Sequence, residues 1–326
     1  MNLLELETIP QAQKEAVLQY VTNVRATFKT KELTARQLGI SPAQMYDFIN
    51  ADWAKISLDA FNRMAQNVGI ERTWNIVETA NFKKIRGAFN AAQRLSNMYA
   101  LLGETGTGKS TAAKYLAAKM DNVFYVLADA TMSRLAFMDA VLSSMGLQAY
   151  NYRNASAKMT AICQKLMAST KPLLVIDDCG KLKTSTITLI QIIYDRTANR
   201  SGILLMGTET LYELVVHNAE NNKFHMREFY GRVGHWDKMS YPSEKDIADI
   251  CVQNGVTDAS AQKWLFNTTA SLHTLENMVR KALEVAKAKN EPVTGGLLAQ
   301  FNSKFIWMDT HFQNFDTRLS HTKKIA

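Results

Sequence analysis

The sequence predicts an α/β protein built on a parallel β-sheet, with a small all-α domain before the sheet and a small helical domain after it. Three blocks of pattern carry this prediction. Residues 1–70 hold short helix signals, and residues 91–240 alternate apolar runs of strand length with amphipathic stretches. Residues 241–326 return to a helical period. A chain of 326 residues is long enough for two or three domains.

Composition narrows the class of protein. With 47% hydrophobic and 21% charged residues, the chain can bury a sizeable core and is not of the disordered type. Its three cysteines form no disulfide or metal-binding pattern. No signal peptide or membrane-spanning run is recognised, so we expect a cytoplasmic protein without a membrane partner. The net charge of +8 favours an acidic partner such as nucleic acid, and residues 91–240 carry 17 basic against 12 acidic residues.

The first domain, residues 1–70, is expected to be a cluster of short helices. A helix over Gln11–Thr27 opens it, and a second helix is expected to start at Thr34 and to end at Gly39. Ser41–Pro42 supplies an N-cap followed by a first-turn proline, which begins a third helix that runs to Ile49. The order is therefore helix, tight glycine turn, helix.

This order resembles the helix-turn-helix of the phage-repressor class, whose second helix enters the major groove of DNA. Gln44 and Asn50 are then candidates for DNA contact on the outward face of that helix. A small helical bundle that contacts only protein is the alternative. Ser57 is expected to cap a fourth helix, and residues 71–98 are expected to form a connector that passes into a further helix.

The strongest motif begins the core, residues 99–240. The apolar run Tyr99–Leu102 leads into GETGTGKST, which matches the phosphate-binding loop G-x-x-x-x-G-K-[ST] and is followed by an amphipathic helix from about Lys109 to Lys119. Its backbone N–H groups and lysine cradle phosphates, and the helix N-terminus faces them. The sequence therefore predicts an ATP site on Gly103, Glu104, Thr105, Gly106, Thr107, Gly108, Lys109, Ser110 and Thr111.

A second acidic element follows further along the chain. Leu173–Ile176 is a continuous apolar run that ends in Asp177 and Asp178, the arrangement of a buried parallel strand that delivers carboxylates to the edge of the sheet. Asp177 and the hydroxyl of Ser110 are predicted to hold Mg²⁺, and Asp178 to act as general base on the attacking water.

Two further strands complete the predicted sheet, over 122–128 and Gly202–Met206. Thr208 follows the latter and is a candidate sensor of the γ-phosphate, with a strand-end cap as the alternative. Arg227 and Arg232 lie on an expected helix and the turn after it, where either could serve as an arginine finger or as an ordinary surface residue.

Six segments, in one order over roughly residues 30–290, resemble the AAA+ transposition ATPases, the target-selection ATPases of transposons. They are LGISPAQMYDFIN, VETANFKKIRGAF, GETGTGKST, LLVIDDCGKL, ILLMGTETLY and FYGRVGHW. The phosphate-binding loop alone indicates only a nucleoside triphosphatase, and it is the order of all six segments that narrows the choice of family.

The resemblance implies a protein that binds ATP and Mg²⁺ and assembles head-to-tail into rings or helical filaments on double-stranded DNA with little sequence preference. Such proteins deliver that DNA to a transposase and stimulate it, and hydrolysis promotes disassembly. It implies Arg232 as the finger given to a neighbouring subunit, with Arg227 in reserve, and residues 241–300 as a helical lid. By region and charge, the DNA-facing candidates are Arg153, Lys158, Lys181 and Lys183.

Three positions depart from that family. Asp178 stands where Glu is more common, Thr208 where a relative has Asn, and His273, on the expected second-sensor helix, where Arg is usual. A neutral histidine is a weaker phosphate ligand than arginine. Together these changes indicate slow hydrolysis, stimulated by DNA or by oligomer formation.

Two other functions remain open on the sequence. A helicase loader would share the nucleotide core, although the repressor-like first domain is less typical of loaders. A DNA-binding regulator that keeps its nucleotide as a structural ligand would also fit the three departures. The tail, residues 301–326, carries aromatic residues that are expected to pack in the core or to dock a partner.

Overall fold

The computed structural model describes residues 9–68, 74–197, 200–223 and 225–300. The chain divides into two compact units, Met1–Asn75 and Ile76–Ala326. The predictions for the tail, 301–326, lie outside the described residues. Among the described residues, no helix has both the length and the apolar character that a membrane crossing requires.

The first unit is all-α. Trp53 lies between Phe48 and Phe61, with ring centroids 6.5 and 6.2 Å apart, and Val17 and Val21 of the first helix are fully buried. Its helices are α1 (Gln11–Thr27), α2 (Lys31–Leu38), α3 (Pro42–Ile49) and α4 (Leu58–Asn67).

Local signals set most of these boundaries. Gly39 ends α2 in the left-handed conformation at φ 67°, and Ser41 forms a capping box with Gln44 at the start of α3. The predicted start of α2 at Thr34 is wrong. Thr30 caps this helix by accepting the N–H of Leu33, and Thr34 lies inside it, where its hydroxyl donates to the carbonyl of Thr30.

The second unit is a parallel sheet with helices on both faces, followed by helices alone, as the sequence predicts. In the part of the chain that the structure describes, the sheet has five strands in the order β2-β3-β4-β1-β5, all parallel where they pair. The strands are β1 (Met98–Leu102), β2 (Val123–Leu127), β3 (Leu173–Asp177), β4 (Gly202–Gly207) and β5 (Val233–Lys238). The helices are α5 (Ala80–Leu95), α6 (Lys109–Lys119), α7 (Arg134–Ser144), α8 (Ala155–Ala168), α9 (Thr184–Arg196), α10 (Glu209–Glu220), α11 (Met226–Arg232), α12 (Glu244–Gln253), α13 (Ala259–Thr268), α14 (Leu272–Lys289) and α15 (Gly295–Gln300).

Side chains that alternate along the strands fill two separate cores. On β3, Leu173 and Val175 pack with α5 and α6, whereas Leu174 and Ile176 pack with α7, α8 and α9 on the other face. The central strands are buried on both faces, which explains their continuous apolar runs.

Strand β5 is the element that the sequence does not predict. Three of its six residues are exposed and only Val233 is buried, so the segment lacks the apolar run by which the inner strands are recognised. A register shift places Met98 opposite Val233 and Tyr99 opposite His235, so that Gly234 is the extra residue of a bulge. Arg227 and Arg232, expected on a helix and the turn after it, both lie within α11.

Candidate nucleotide-binding site

The phosphate-binding loop, Asp177 and Thr208 lie at one edge of the sheet because they follow three adjacent parallel strands. The loop follows β1, Asp177 ends β3, and Thr208 follows β4, which lies between them. The helix after β1 packs on one face of the sheet and the helix after β4 on the other. Because the chain leaves β1 and β4 toward opposite faces of the sheet, a crevice opens at the carboxyl ends of these two strands. Ligands of α/β proteins bind in such crevices.

Two glycines allow the loop to turn tightly. Gly106 has φ 81°, and a Cβ at this position would lie 2.2 Å from Cβ of Ser271 in the lid, defined here as α12–α15. Gly108 has φ 91° and occupies the N-cap position of α6 without any side-chain cap. The first N–H groups of α6 therefore donate to no capping side chain, as a phosphate site at a helix N-terminus requires.

The carbonyl groups of the loop are occupied by donors. Lys109 Nζ donates to the carbonyls of Gly103 and Glu104 at 2.6 and 2.8 Å. The N–H of Leu272 donates to the carbonyl of Gly106 at 2.8 Å, and the amide of Asn81 donates to that of Thr107 at 3.3 Å. When the carbonyls of a loop are held by donors in this way, its backbone N–H groups can face an anion.

Lys109 is a buried cation among three carboxylates. Burial lowers its pKa, and the charges of Asp177, Asp178 and Glu104 oppose that shift. The hydrogen bonds described for its ammonium group go to two backbone carbonyls, those of Gly103 and Glu104. Phosphate oxygens, which carry full negative charge, are stronger partners for an ammonium group than neutral carbonyls.

Asp177 is fully buried at the end of β3. Its Oδ2 accepts a hydrogen bond from the hydroxyl of Tyr125 at 2.8 Å, and its Oδ1 accepts one from the N–H of Asp178 at 3.0 Å. Burial, followed by the charge and the hydrogen bond of Asp177, raises the pKa of Tyr125 far above its ordinary value, so the hydroxyl remains a donor. The carboxylate of Asp177 and the hydroxyl of Ser110 are hard oxygen ligands, which suit Mg²⁺.

Asp178 has an unusual backbone and an ion pair. Its φ is 54°, in the left-handed region that Asp and Asn tolerate better than most residues. Its Oδ2 accepts from Lys181 Nζ at 2.6 Å, and both side chains are partly exposed. One of the two carboxylate oxygens of the candidate base is therefore held by a neighbouring cation.

Thr208 lies directly after β4, at the N-cap position of α10, but its side chain does not cap that helix. Its hydroxyl instead shares a hydrogen bond with the hydroxyl of Thr210 at 2.6 Å. The side chain of Thr208 is therefore engaged locally and does not cap α10.

The lid contacts the loop through the start of α14. Ser271 caps this helix and lies against Gly106, and His273, the second residue of α14, is exposed, with its ring 3.2 Å from the amide of Asn277. Arg280, two turns further on, forms an ion pair with Glu276 at 2.8 Å.

Arg232 lies at the opposite end of the strands from the phosphate-binding loop, where β1 and β5 begin. It precedes β5, whose first residue, Val233, is opposite Met98 at the start of β1. The five residues of β1 separate that end from the loop by about 16 Å. Arg232 forms an ion pair with Asp195 at 2.7 Å and keeps almost half of its side chain exposed. It does not reach the phosphate-binding loop of its own chain.

The candidate DNA-binding residues differ in their exposure and in the partners of their side chains. In the first unit, Gln44 uses its side-chain oxygen within the capping box, and Asn50 is the exposed C-cap of α3. In the second unit, Arg153 and Lys183 are exposed, whereas Lys181 is paired with Asp178. Lys158 forms an ion pair with Asp139 and is largely buried, which suits a structural role better than a DNA contact.

Sequence reasoning missed the residues by which the start of α5 contacts the loop, the segment after β5 and the lid. Asn81, in the first turn of α5, donates to the carbonyl of Ser240 at 2.7 Å as well as to the loop. Asp246 of α12 accepts the N–H of Ala80 at 2.9 Å and forms a capping box with Ser243. The capping box can be read from the spacing of Ser243 and Asp246, but its second partner, 166 residues away, cannot.

Residues 93–215 match the family model of an AAA domain. The matched segment contains the phosphate-binding loop, Asp177, Asp178 and Thr208. The site described above is therefore similar to the nucleotide-binding core of AAA domains.

Among solved structures, the chain is similar to a RuvB mutant of Thermotoga maritima, with 14% identity, a TM-score of 0.45, and coverage of 68% of this chain and 67% of that one. It is also similar to Cdc6p of Pyrobaculum aerophilum, with 14% identity, a TM-score of 0.46, and coverage of 65% and 63%. A DNA replication initiation factor aligns with 14% identity, a TM-score of 0.42, and coverage of 67% and 63%. The alignments thus span about two thirds of each of these chains. Comparison with curated protein sequences finds no match.

Proposed function

We propose that this protein is an ATPase that binds double-stranded DNA largely without sequence preference, assembles with copies of itself on that DNA, and delivers it to a transposase that it stimulates. The observation that carries the proposal is the gathering of the phosphate-binding loop, two adjacent carboxylates and a threonine hydroxyl at one edge of the sheet. This set can bind a nucleoside triphosphate, hold its metal ion and activate a water.

The residues divide the work of the site. The N–H groups of the loop and Lys109 would bind the phosphates, and Ser110 and Asp177 would hold Mg²⁺, which would neutralise charge on the phosphate oxygens. Asp178 accepts the proton of the attacking water. Thr208 is the proposed sensor of the γ-phosphate, and His273 is the proposed phosphate ligand from the lid.

The ion pair between Asp178 and Lys181 supports slow hydrolysis that DNA stimulates. Lys181 Nζ occupies one of the two carboxylate oxygens of Asp178, so that oxygen cannot accept the proton of a water while the pair is formed. Lys181 is also a candidate for DNA contact, and a DNA phosphate that binds it would release Asp178 for its role as base.

The position of Arg232 supports self-assembly. A residue about 16 Å from its own loop, exposed and at the opposite end of the strands, contributes to catalysis only if it reaches the site of another copy. A contact between unlike ends of identical chains is heterologous, and repetition of it gives rings or helical filaments. Each subunit then completes the active site of its neighbour.

We expect Arg232→Ala to leave the ATP affinity of the monomer nearly intact and to lower hydrolysis by the assembled protein about 10³-fold or more, because a finger arginine stabilises charge on the transferred phosphoryl group. Loss of its ion pair with Asp195 should have little effect on stability, because both side chains are exposed and such pairs contribute little. Nucleotide binding and DNA-stimulated phosphate release are the measurements, with Arg227→Ala on the same helix as the matched control. Loss of nucleotide binding by the Arg232→Ala monomer would show that Arg232 is structural. Loss of hydrolysis in Arg227→Ala alone would assign the role of arginine finger to Arg227.

Binding to DNA is supported by charge. The positive excess of the chain is concentrated in residues 91–240, and Arg153 and Lys183 are exposed there. Contacts to the phosphate backbone carry no sequence information, which agrees with binding that is largely indifferent to sequence. The choice of a transposase as partner depends on the order of the six sequence segments and on the repressor-like first unit.

The direct test is electron microscopy with duplex DNA of arbitrary sequence, in the presence of ATP, of ADP and of an ATP analogue that is not hydrolysed. We expect filaments or stacked rings with the triphosphates only. Sparse particles at particular sites, whatever the nucleotide, would instead indicate a regulator that keeps its nucleotide as a structural ligand. Assemblies that form only with a replicative helicase would indicate a helicase loader.

A further inference from the structure

A tyrosine on the neighbouring strand holds the carboxylate of Asp177. Asp177 is fully buried, and the two hydrogen bonds described to its side chain come from the hydroxyl of Tyr125, at 2.8 Å to Oδ2, and from the N–H of Asp178, at 3.0 Å to Oδ1. The donors engage different oxygens, so together they fix both the position of the carboxylate and the rotation of its plane.

The strand order explains how Tyr125 reaches that carboxylate. Strand β2 lies beside β3, with Tyr125 opposite Val175, two residues before Asp177. Side chains two residues apart lie on the same face of a strand, so Tyr125, Val175 and Asp177 share one face. Val175 packs in the core formed with α5 and α6, which shows that this is the face of the helix that begins at the phosphate-binding loop. The ring of Tyr125 extends diagonally from β2 across to Asp177, two residues beyond its paired residue Val175. Its hydroxyl therefore lies at the carboxyl end of β3.

We propose that Tyr125 is a positioning residue for Mg²⁺, which acts by orienting Asp177 toward the metal ion and its bound nucleotide. The inference rests on the nucleotide site proposed above and goes beyond it, since neither the phosphate-binding motif nor the acidic pair points to β2. A hydrogen bond to a metal-binding carboxylate orients the ligand, and its loss typically costs about 10- to 100-fold in metal affinity or activity.

The alternative is that Tyr125 only fills space between the sheet and α6. Its ring packs in the same core as Tyr99 of β1, which also is partly buried and has a ring contact with His235. Tyr99 therefore provides a matched control: the same deletion of a hydroxyl, in the same core, away from Asp177.

The experiment measures binding of a fluorescent ATP analogue as a function of Mg²⁺ concentration, and compares wild type with Tyr125→Phe, Tyr99→Phe and Asp177→Asn. In EDTA, we expect Tyr125→Phe to bind the nucleotide like wild type, because the loop and Lys109 are unchanged. We expect it to need about 10- to 100-fold more Mg²⁺ to reach half of the metal-dependent gain in affinity. Tyr99→Phe should stay within twofold of wild type. In the Asp177→Asn background, Tyr125→Phe should have no further effect on the metal dependence.

A metal dependence of Tyr125→Phe within twofold of wild type, or an equal shift in Tyr99→Phe, would overturn the inference while the nucleotide site stands. Wild-type protein that binds no nucleotide with Mg²⁺ would overturn the proposed function itself. Tyr125→Met, which also removes the hydroxyl and fills much of the same space with an adaptable side chain, replaces Tyr125→Phe if that variant does not fold.

Discussion

Lys109→Ala is expected to abolish nucleotide binding, with a loss of affinity of at least about 100-fold. The ammonium group is buried within the loop and donates two hydrogen bonds at 2.6 and 2.8 Å, so it already lies where phosphate oxygens would replace the carbonyls. Charge-assisted hydrogen bonds contribute about 1.5–3 kcal/mol each, and two of them account for a loss of this size. Because assembly on DNA is proposed to require ATP, DNA binding should be lost in the same variant.

Equilibrium binding of a fluorescent ATP analogue, followed by electron microscopy with DNA, checks this expectation. Lys114→Ala is the matched control, since Lys114 lies on the same helix, α6, and is exposed. Thermal unfolding of the two variants should be compared first, because the carbonyls of Gly103 and Glu104 lose their donor when Lys109 is removed. Filaments of Lys109→Ala that still depend on ATP would refute the assignment of the site.

Features of the site that depend on neighbouring residues in the chain could be predicted from the sequence. The third helix begins at Pro42 and ends at Ile49 as expected, because Ser41, Pro42 and the glycine before them act within a single turn. The same holds for α6, which follows the loop over Lys109–Lys119. The second helix shows the limit of this approach, because two residues, Thr30 and Thr34, both suit the N-cap and only the folded chain selects one.

Features that depend on strand order could not be predicted. Tyr125 and Asp177 are 52 residues apart, and they meet because β2 lies beside β3 at the edge of the sheet. The link from Asn81 to Ser240 spans 159 residues and depends on how α5 lies against the end of the last strand. Strand β5 has no apolar run, since an edge strand is stabilised by pairing with β1 and is exposed on its other side. The pattern of a sequence indicates which residues are buried and where the chain turns locally. These three features depend instead on contacts between segments that are distant in the sequence.

The three departures from the transposition ATPases bear on the rate of hydrolysis. Asp178 has a side chain one methylene shorter than glutamate and is held by Lys181, and Thr208 shares its hydroxyl with Thr210. His273 is exposed at the start of α14. Asp178 and Thr208 are thus engaged by neighbouring side chains, which agrees with the slow turnover proposed above. Slow turnover would suit the proposed assembly, which must persist on DNA until its partner arrives.

Asp178→Asn is expected to bind ATP like wild type, to hydrolyse it about 10²- to 10⁴-fold more slowly, and to form longer-lived assemblies on DNA. The amide cannot accept a proton at neutral pH, while asparagine tolerates the left-handed backbone at φ 54° as well as aspartate does. Hydrolysis is proposed to drive disassembly, so its loss should leave the ATP-bound filament in place. Phosphate release and the lifetime of filaments after dilution are the two measurements.

Lys181→Ala separates the chemistry of Asp178 from its ion pair. Both substitutions break the pair at 2.6 Å, but only Lys181→Ala keeps the carboxylate. If Asp178 is the base and Lys181 restrains it, hydrolysis without DNA should fall in Asp178→Asn and be maintained or increased in Lys181→Ala. Equal losses in the two variants would mean that the pair supports the loop and that the base lies elsewhere. Faster disassembly of Asp178→Asn would lead to the same conclusion, because a filament that loses its base cannot use hydrolysis to come apart.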